Sequence, residues 1–176
     1  MGMSSETRDD LIHASHEVSH LLPEAIAGAT VGYIWREGGG WKADTNMTDV
    51  PGIWERVEQG ELDYSLVQVV GFVAGPLGEH VARIMLDQGM AADLVEDTVL
   101  ERARSGELLG SWMSRDDRAA LFGPLGVTHR GLVHYAGLCV AEVRHLLLSL
   151  GQPALIKLGR RMRWWPEGRG EAFDLQ

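Results

Sequence analysis

The chain has 176 residues, 45% of them hydrophobic and 23% charged, with a formal net charge of -9. That length fits one domain able to bury a core without disulfides or a structural metal, and the composition excludes a largely disordered chain. The acidic balance, broken only by a short basic run at "GRRMR", excludes nucleic acid as the main partner, while the single cysteine, Cys139, excludes an internal disulfide or a Cys-rich zinc cluster and suits a reducing cytoplasm.

In chain order, Ser, Thr, Glu and Asp between Ser5 and Asp9 cap and charge the start of a first helix, which is expected to stop near Leu22 because Pro23 disfavours a helical residue before it. At 100° per residue, Leu11, Ala14, Ser15, Val18, Leu21 and Leu22 share one face of that helix, and His13, His16, Glu17 and His20 share the other. The segment "ATVGYIWREGGGWKADTNM" then reads as a β-hairpin whose Gly-rich loop lies between Arg36 and Gly40, the one sheet-forming region expected.

From Pro51 onward the pattern is helical: a short element in "GIWERVEQG", then a long helix from Leu62 to Leu86. Gly71, Gly75, Gly78 and Pro76 lower the helix propensity of that long element, and small residues at such spacing point to close helix packing. A further helix is expected over about Ala91 to Ala103, a looser stretch over "SGELLGSWMSRDDRAALFGPLGVT", and a strong helix over His129 to Leu150. "GQPALIKLGRRM" suggests another short helix. The expectation is a single domain over residues 1–160, mainly α with a small β-hairpin, and a C-terminal tail over 161–176 that is poorly ordered or docks through Trp164-Trp165.

The N-terminus lacks the basic start and apolar run of a signal peptide, and "LVQVVGFVAGPLG" falls short of the ~20 apolar residues a membrane span needs, so no membrane span is expected. No Gly-Lys dipeptide occurs, so the chain carries no GxxxxGK[ST] phosphate loop.

The chemistry is concentrated in "HEVSH". His16 and His20, four apart on a helix, project the same way and can share one tetrahedral zinc; Glu17, between them in sequence and on the same face, is placed to take a proton from water at the metal. A catalytic zinc needs a third protein ligand and an open position. The residues after His20, "LLPEAIAG", do not supply one, which leaves Glu79, His80, Asp93, Glu96 and Asp97 as candidates that spacing alone does not separate. Glu79 and His80 are also readable as partners that orient a ligand or as ordinary core or surface residues, His13 as an exposed first-turn residue, and His129, His134 and His145 as structural.

"HEVSH", a short hairpin, "VAGPLGEHVARIML" and "GMAADLVEDTVLERA" occur in the order in which the FtsH-type zinc proteases carry an HEAGH helix, strands, an AGRAAEE-like helix and a GAxxDLxxAT-like segment. Over about residues 9 to 105 the chain resembles that peptidase domain. The resemblance implies a zincin-like fold, zinc held by His16, His20 and Asp93, and Glu17 as general base in the hydrolysis of peptide or unfolded-protein substrates. Pro76 and His80 depart from the family's Arg and second Glu, and Asp97-Thr98 stands where the family has Ala-Thr. The family's ATPase module and membrane anchor have no counterpart in these residues, which implies ATP-independent cleavage of a restricted substrate, or an ATPase supplied in trans. One rival expectation is an inactive peptidase-like module that binds a regulatory protein partner; a second is a zinc peptidase of another class, a small intracellular regulator that cuts one repressor-like partner.

Overall fold

The computed structural model describes residues 5–28, 31–37, 40–45, 53–88, 92–106, 113–149 and 173–174. The first helix, α1 (Ser5–His20), ends two residues earlier than the position of Pro23 suggested. Leu21 forms a turn, and a new short helix, α2 (Leu22–Ile26), begins with Pro23 in its first turn. There the missing N–H costs nothing, because first-turn N–H groups have no partner inside the helix. The proline therefore starts a helix instead of only ending one.

The hairpin forms as expected from its β-branched and aromatic runs: β1 (Val31–Glu37) pairs antiparallel with β2 (Gly40–Thr45), with Arg36 opposite Trp41 and Glu37 opposite Gly40. The connection is thus shorter than expected, since Arg36, Glu37 and Gly40 belong to the strands. A third strand, β3 (Phe173–Asp174), pairs with the other edge of β1, so the hairpin is not the only sheet-forming region. The rest of the tail over 161–176, including Trp164-Trp165, and the short helix expected in "GQPALIKLGRRM" lie outside the described residues.

Among the described residues, five further helices precede β3: α3 (Ile53–Glu58), α4 (Tyr64–Gln88), α5 (Ala92–Ser105), α6 (Arg115–Phe122) and α7 (His129–Ser149). The described residues are thus mainly helical. The α6 helix falls inside the stretch expected to be loose. Its start is set by Ser114, whose hydroxyl accepts a hydrogen bond from the Asp117 N–H at 3.0 Å, with Asp116 and Asp117 favourably placed in the first turn.

Helix α4 is the axis of the fold, touching α1, α2, α5, α6 and α7, while β2 lies against α1. Its apolar positions Val69, Val73, Leu77, Val81 and Ile84 are buried with Ile12 and Val18 of α1 and Leu132, Val140, Val143 and Leu147 of α7. By length and composition Tyr64–Asp87 could cross a membrane, and 72% of its most apolar window is buried against the rest of the protein. Cys139 is buried in the same core, which pushes its thiol up to about 11.

The small residues of α4 account for how closely α1 approaches. A Cβ at Gly78 would lie 2.7 Å from the Ser15 carbonyl oxygen and would run into the Ser19 side chain. Ser15 and Ser19 are buried, and their hydroxyls donate to the Leu11 and Ser15 carbonyls at 2.7 Å each, so the polar groups brought into this contact are satisfied within α1. Pro76 lies inside α4 and withholds one backbone hydrogen bond from it without ending the helix.

Candidate metal centre

Close packing of α1 on α4 turns the His/Glu face of α1 inward. Among the expected polar residues of that face only His13 is exposed; His16, Glu17 and His20 are partly buried. A Cβ at Gly75 would stand 2.5 Å from the His20 Nε2 and overlap the rest of the imidazole, so Gly75 clears the space in which that ring sits. One turn earlier on α4, the Gly71 carbonyl oxygen accepts from the His20 Nδ1 at 2.8 Å.

The partners of the two rings determine their tautomers. A carbonyl oxygen only accepts, so the His20 Nδ1 carries hydrogen, and in the neutral ring the Nε2 presents a lone pair. The His16 Nδ1 faces the Glu79 carboxylate at 3.2 Å and donates to it, which leaves its Nε2 bare in the same way. These two Nε2 atoms stand 3.1 Å apart, with the rings edge to face. Two neutral rings so tautomerised place lone pair against lone pair, an arrangement that needs a shared proton or a cation between them. Two nitrogens bonded tetrahedrally to zinc at their usual lengths lie about 3.3 Å apart, close to the separation of this pair, which a shared proton would also give.

Protonation is the less favourable way to relieve that repulsion at His20. Burial, reinforced by the adjacent His16, holds the His20 imidazole below its ordinary value, and the hydrogen bond to Gly71 and the charge of Asp117 oppose this without reversing it. A neutral imidazole is the form that binds metal.

Burial pushes Glu79 up, but the hydrogen bonds from His16 and Arg83 outweigh it and hold the carboxyl below its usual range. The Arg83 guanidinium donates to Glu79 Oε1 at 3.1 Å while His16 engages Oε2. Glu79 therefore orients His16 from behind, one of the roles its sequence position allows. Replacing it by glutamine, which keeps the shape and loses the charge, is expected to weaken zinc binding by the ~10–100-fold typical of such a partner, read by competitive chelator titration.

The residues considered as third ligands fall in different places. His80 is fully buried in the core, where burial, with Arg102 adding to it, pushes its imidazole down to about 4. Glu96 accepts from the Arg144 Nε at 3.0 Å, and Asp97 is exposed on α5. Asp93 belongs to the first turn of α5, but its side chain lies outside the described residues. His129, His134 and His145 are exposed along α7.

Among the described residues, the carboxylate gathered with the two histidines is Asp117, partly buried on α6: ligand atoms of His16, His20 and Asp117 all lie within 4.8 Å of one another. Sequence reasoning missed it because α6 itself was missed. The available clue was local, since "SRDD" has the Ser-x-x-Asp form of a helix start, with the aspartate three residues after the capping serine.

Glu17, next to the first histidine, is raised above its ordinary carboxyl value by burial. The His16 charge opposes this, Asp117 adds to it, and Lys42 and His13 oppose it more weakly. A carboxyl shifted toward neutrality is suited to taking up a proton and giving it back.

Gly75 provides a test of the geometry. In an isolated helix Gly75→Ala would gain about 1 kcal/mol of propensity. Here the methyl group would displace the His20 ring, so zinc affinity is expected to fall by at least about 100-fold, beyond the usual effect of an outer partner, with the helical circular dichroism retained.

No family model, curated protein or solved structure matches the chain.

Proposed function

We propose that this protein is a zinc-dependent peptidase in which His16, His20 and one aspartate hold the metal and Glu17 is the general base. The observation that carries the reading is the pair of imidazole Nε2 atoms 3.1 Å apart, each left bare by a partner on its own Nδ1. Asp117 contributes negative charge beside that pair, and the order of the motifs supports the likeness to FtsH-type peptidases, with Asp93 in the ligand role.

A zinc ion held there would supply a Lewis acid that acidifies water and polarises a carbonyl. The chain's own groups do the rest. Glu79 and the Gly71 carbonyl fix both ring planes and tautomers, so no reorganisation of the histidines is required during reaction. Glu17 accepts a proton from the attacking water and returns it to the leaving amine, a cycle favoured by its raised affinity for protons. Partial burial of the three residues limits water and strengthens their electrostatic interactions.

Elemental analysis of protein purified without chelator is expected to give one zinc per chain, and the loaded protein is expected to cleave unfolded peptides without ATP. A folded chain that takes up no transition metal when zinc is added back would remove the mechanism. A zinc-loaded chain that cleaves nothing across a broad peptide library would replace it with the binding-module reading.

A further inference from the structure

A cavity of about 300 Å³ opens directly beside the metal centre, and His20 and Asp117 form part of its wall. The remainder is largely apolar: Pro23 of α2, Trp54 of α3, and Val67 and Phe72 of α4. Gly71 adds backbone without a side chain, and its carbonyl is already engaged by His20. Trp54 is 45% exposed and leans on Tyr64, with ring centroids 5.8 Å apart, so a large aromatic surface stands at this cavity without being part of the core.

We propose that this cavity receives one apolar side chain of a peptide substrate, that of a residue flanking the bond to be cleaved. The proposal rests on the peptidase reading for the word substrate, but the cavity's preference stands on its lining. A carbonyl positioned at the His16–His20 pair carries its neighbouring side chains within a few ångströms, and His20 belongs to both the pair and the cavity wall. The volume is at the lower end for small-molecule sites, which suits a single large side chain and not a run of residues. Glu24 and Asp117 are the acidic groups of the wall; Glu24 is engaged within the protein, and Asp117 faces the histidine pair. Four apolar side chains therefore set the preference, and an arginine or lysine is the competing occupant.

The test is chemical-shift mapping on the full-length ¹⁵N-labelled chain, with and without zinc, using N-acetyl-phenylalaninamide, N-acetyl-alaninamide and N-acetyl-argininamide as probes. It requires no turnover. The phenylalanine probe is expected to move the amides of Val67, Gly71 and Phe72 and to bind at least about 10-fold more tightly than the alanine probe, the minimum for burying an aromatic side chain. Gln68→Trp, which fills the cavity from a partly exposed wall position, is expected to abolish that response, and Trp54→Ala, which removes an exposed wall, to weaken it. Equal binding of the three probes, preference for the arginine probe, or shifts confined to another surface would overturn the proposal. If the phenylalanine probe binds here while the zinc-loaded protein cleaves no peptide, the apolar site stands and the peptidase reading falls. Cleavage that ignores the side chains beside the scissile bond would overturn the cavity's role alone.

Discussion

Glu17→Gln is expected to leave zinc in place and to lower peptide hydrolysis by ~10²–10⁴-fold, the usual contribution of a positioned general base. The amide keeps the size of the carboxyl, so packing on the inner face of α1 should survive. It cannot take a proton from water, and the histidines keep the partners that orient them, Glu79 and the Gly71 carbonyl. The decisive comparison is kcat/KM for one peptide together with zinc content in the same preparations. Loss of the metal from this variant would make Glu17 a ligand and leave the site without a base. Retention of both metal and full activity would assign the proton transfer to another group, with Asp117 the nearest acidic residue in the described cluster.

How far the sequence reveals this arrangement depends on whether a feature is local. The long α4, the hairpin and the two-faced α1 follow from periodicity, because a buried stripe or an alternating strand leaves its pattern in consecutive residues. The glycines of α4 were readable as a sign of close packing. That Gly75 makes room for the His20 imidazole, and Gly78 for a serine pair, depends on the register of two helices more than fifty residues apart, which no local pattern encodes. The double role of Pro23 was ambiguous for a different reason: the same residue that stops one helix is well suited to open the next. The Glu79 contact is one of several roles its sequence position allows, and only the crossing of α1 over α4 brings it to His16. Asp117 lay in a segment rich in glycine and charge, where the short α6 depends on one serine cap and a single buried apolar anchor, Leu121.

The third ligand is the point at which the two lines of argument meet, and we expect Asp93→Ala to lose zinc far more severely than Asp117→Ala. The ligand atoms of the His16, His20 and Asp117 group spread over as much as 4.8 Å, while the two histidine nitrogens within it are at 3.1 Å. Donors on one tetrahedral zinc are about 3.3 Å apart, so Asp117 would have to draw closer to the pair to share an ion with it. Its place in the first turn of α6 also gives Asp117 a reason to be acidic without any metal, since charge there is favoured by the helix dipole. Asp93 occupies the corresponding first turn of α5, and the "GMAADL" around it is the segment that resembles the FtsH-type ligand motif. On this account Asp117→Ala changes zinc affinity by no more than the ~10–100-fold of an outer partner, and Asp93→Ala exceeds that range. Both are measured by competitive chelator titration, with circular dichroism confirming that each variant folds. If Asp117→Ala empties the site while Asp93→Ala keeps its metal, then α6 supplies the third bond. The centre would then remain a His-His-Asp zinc site, and the likeness to the FtsH-type peptidases would end at the HEVSH helix.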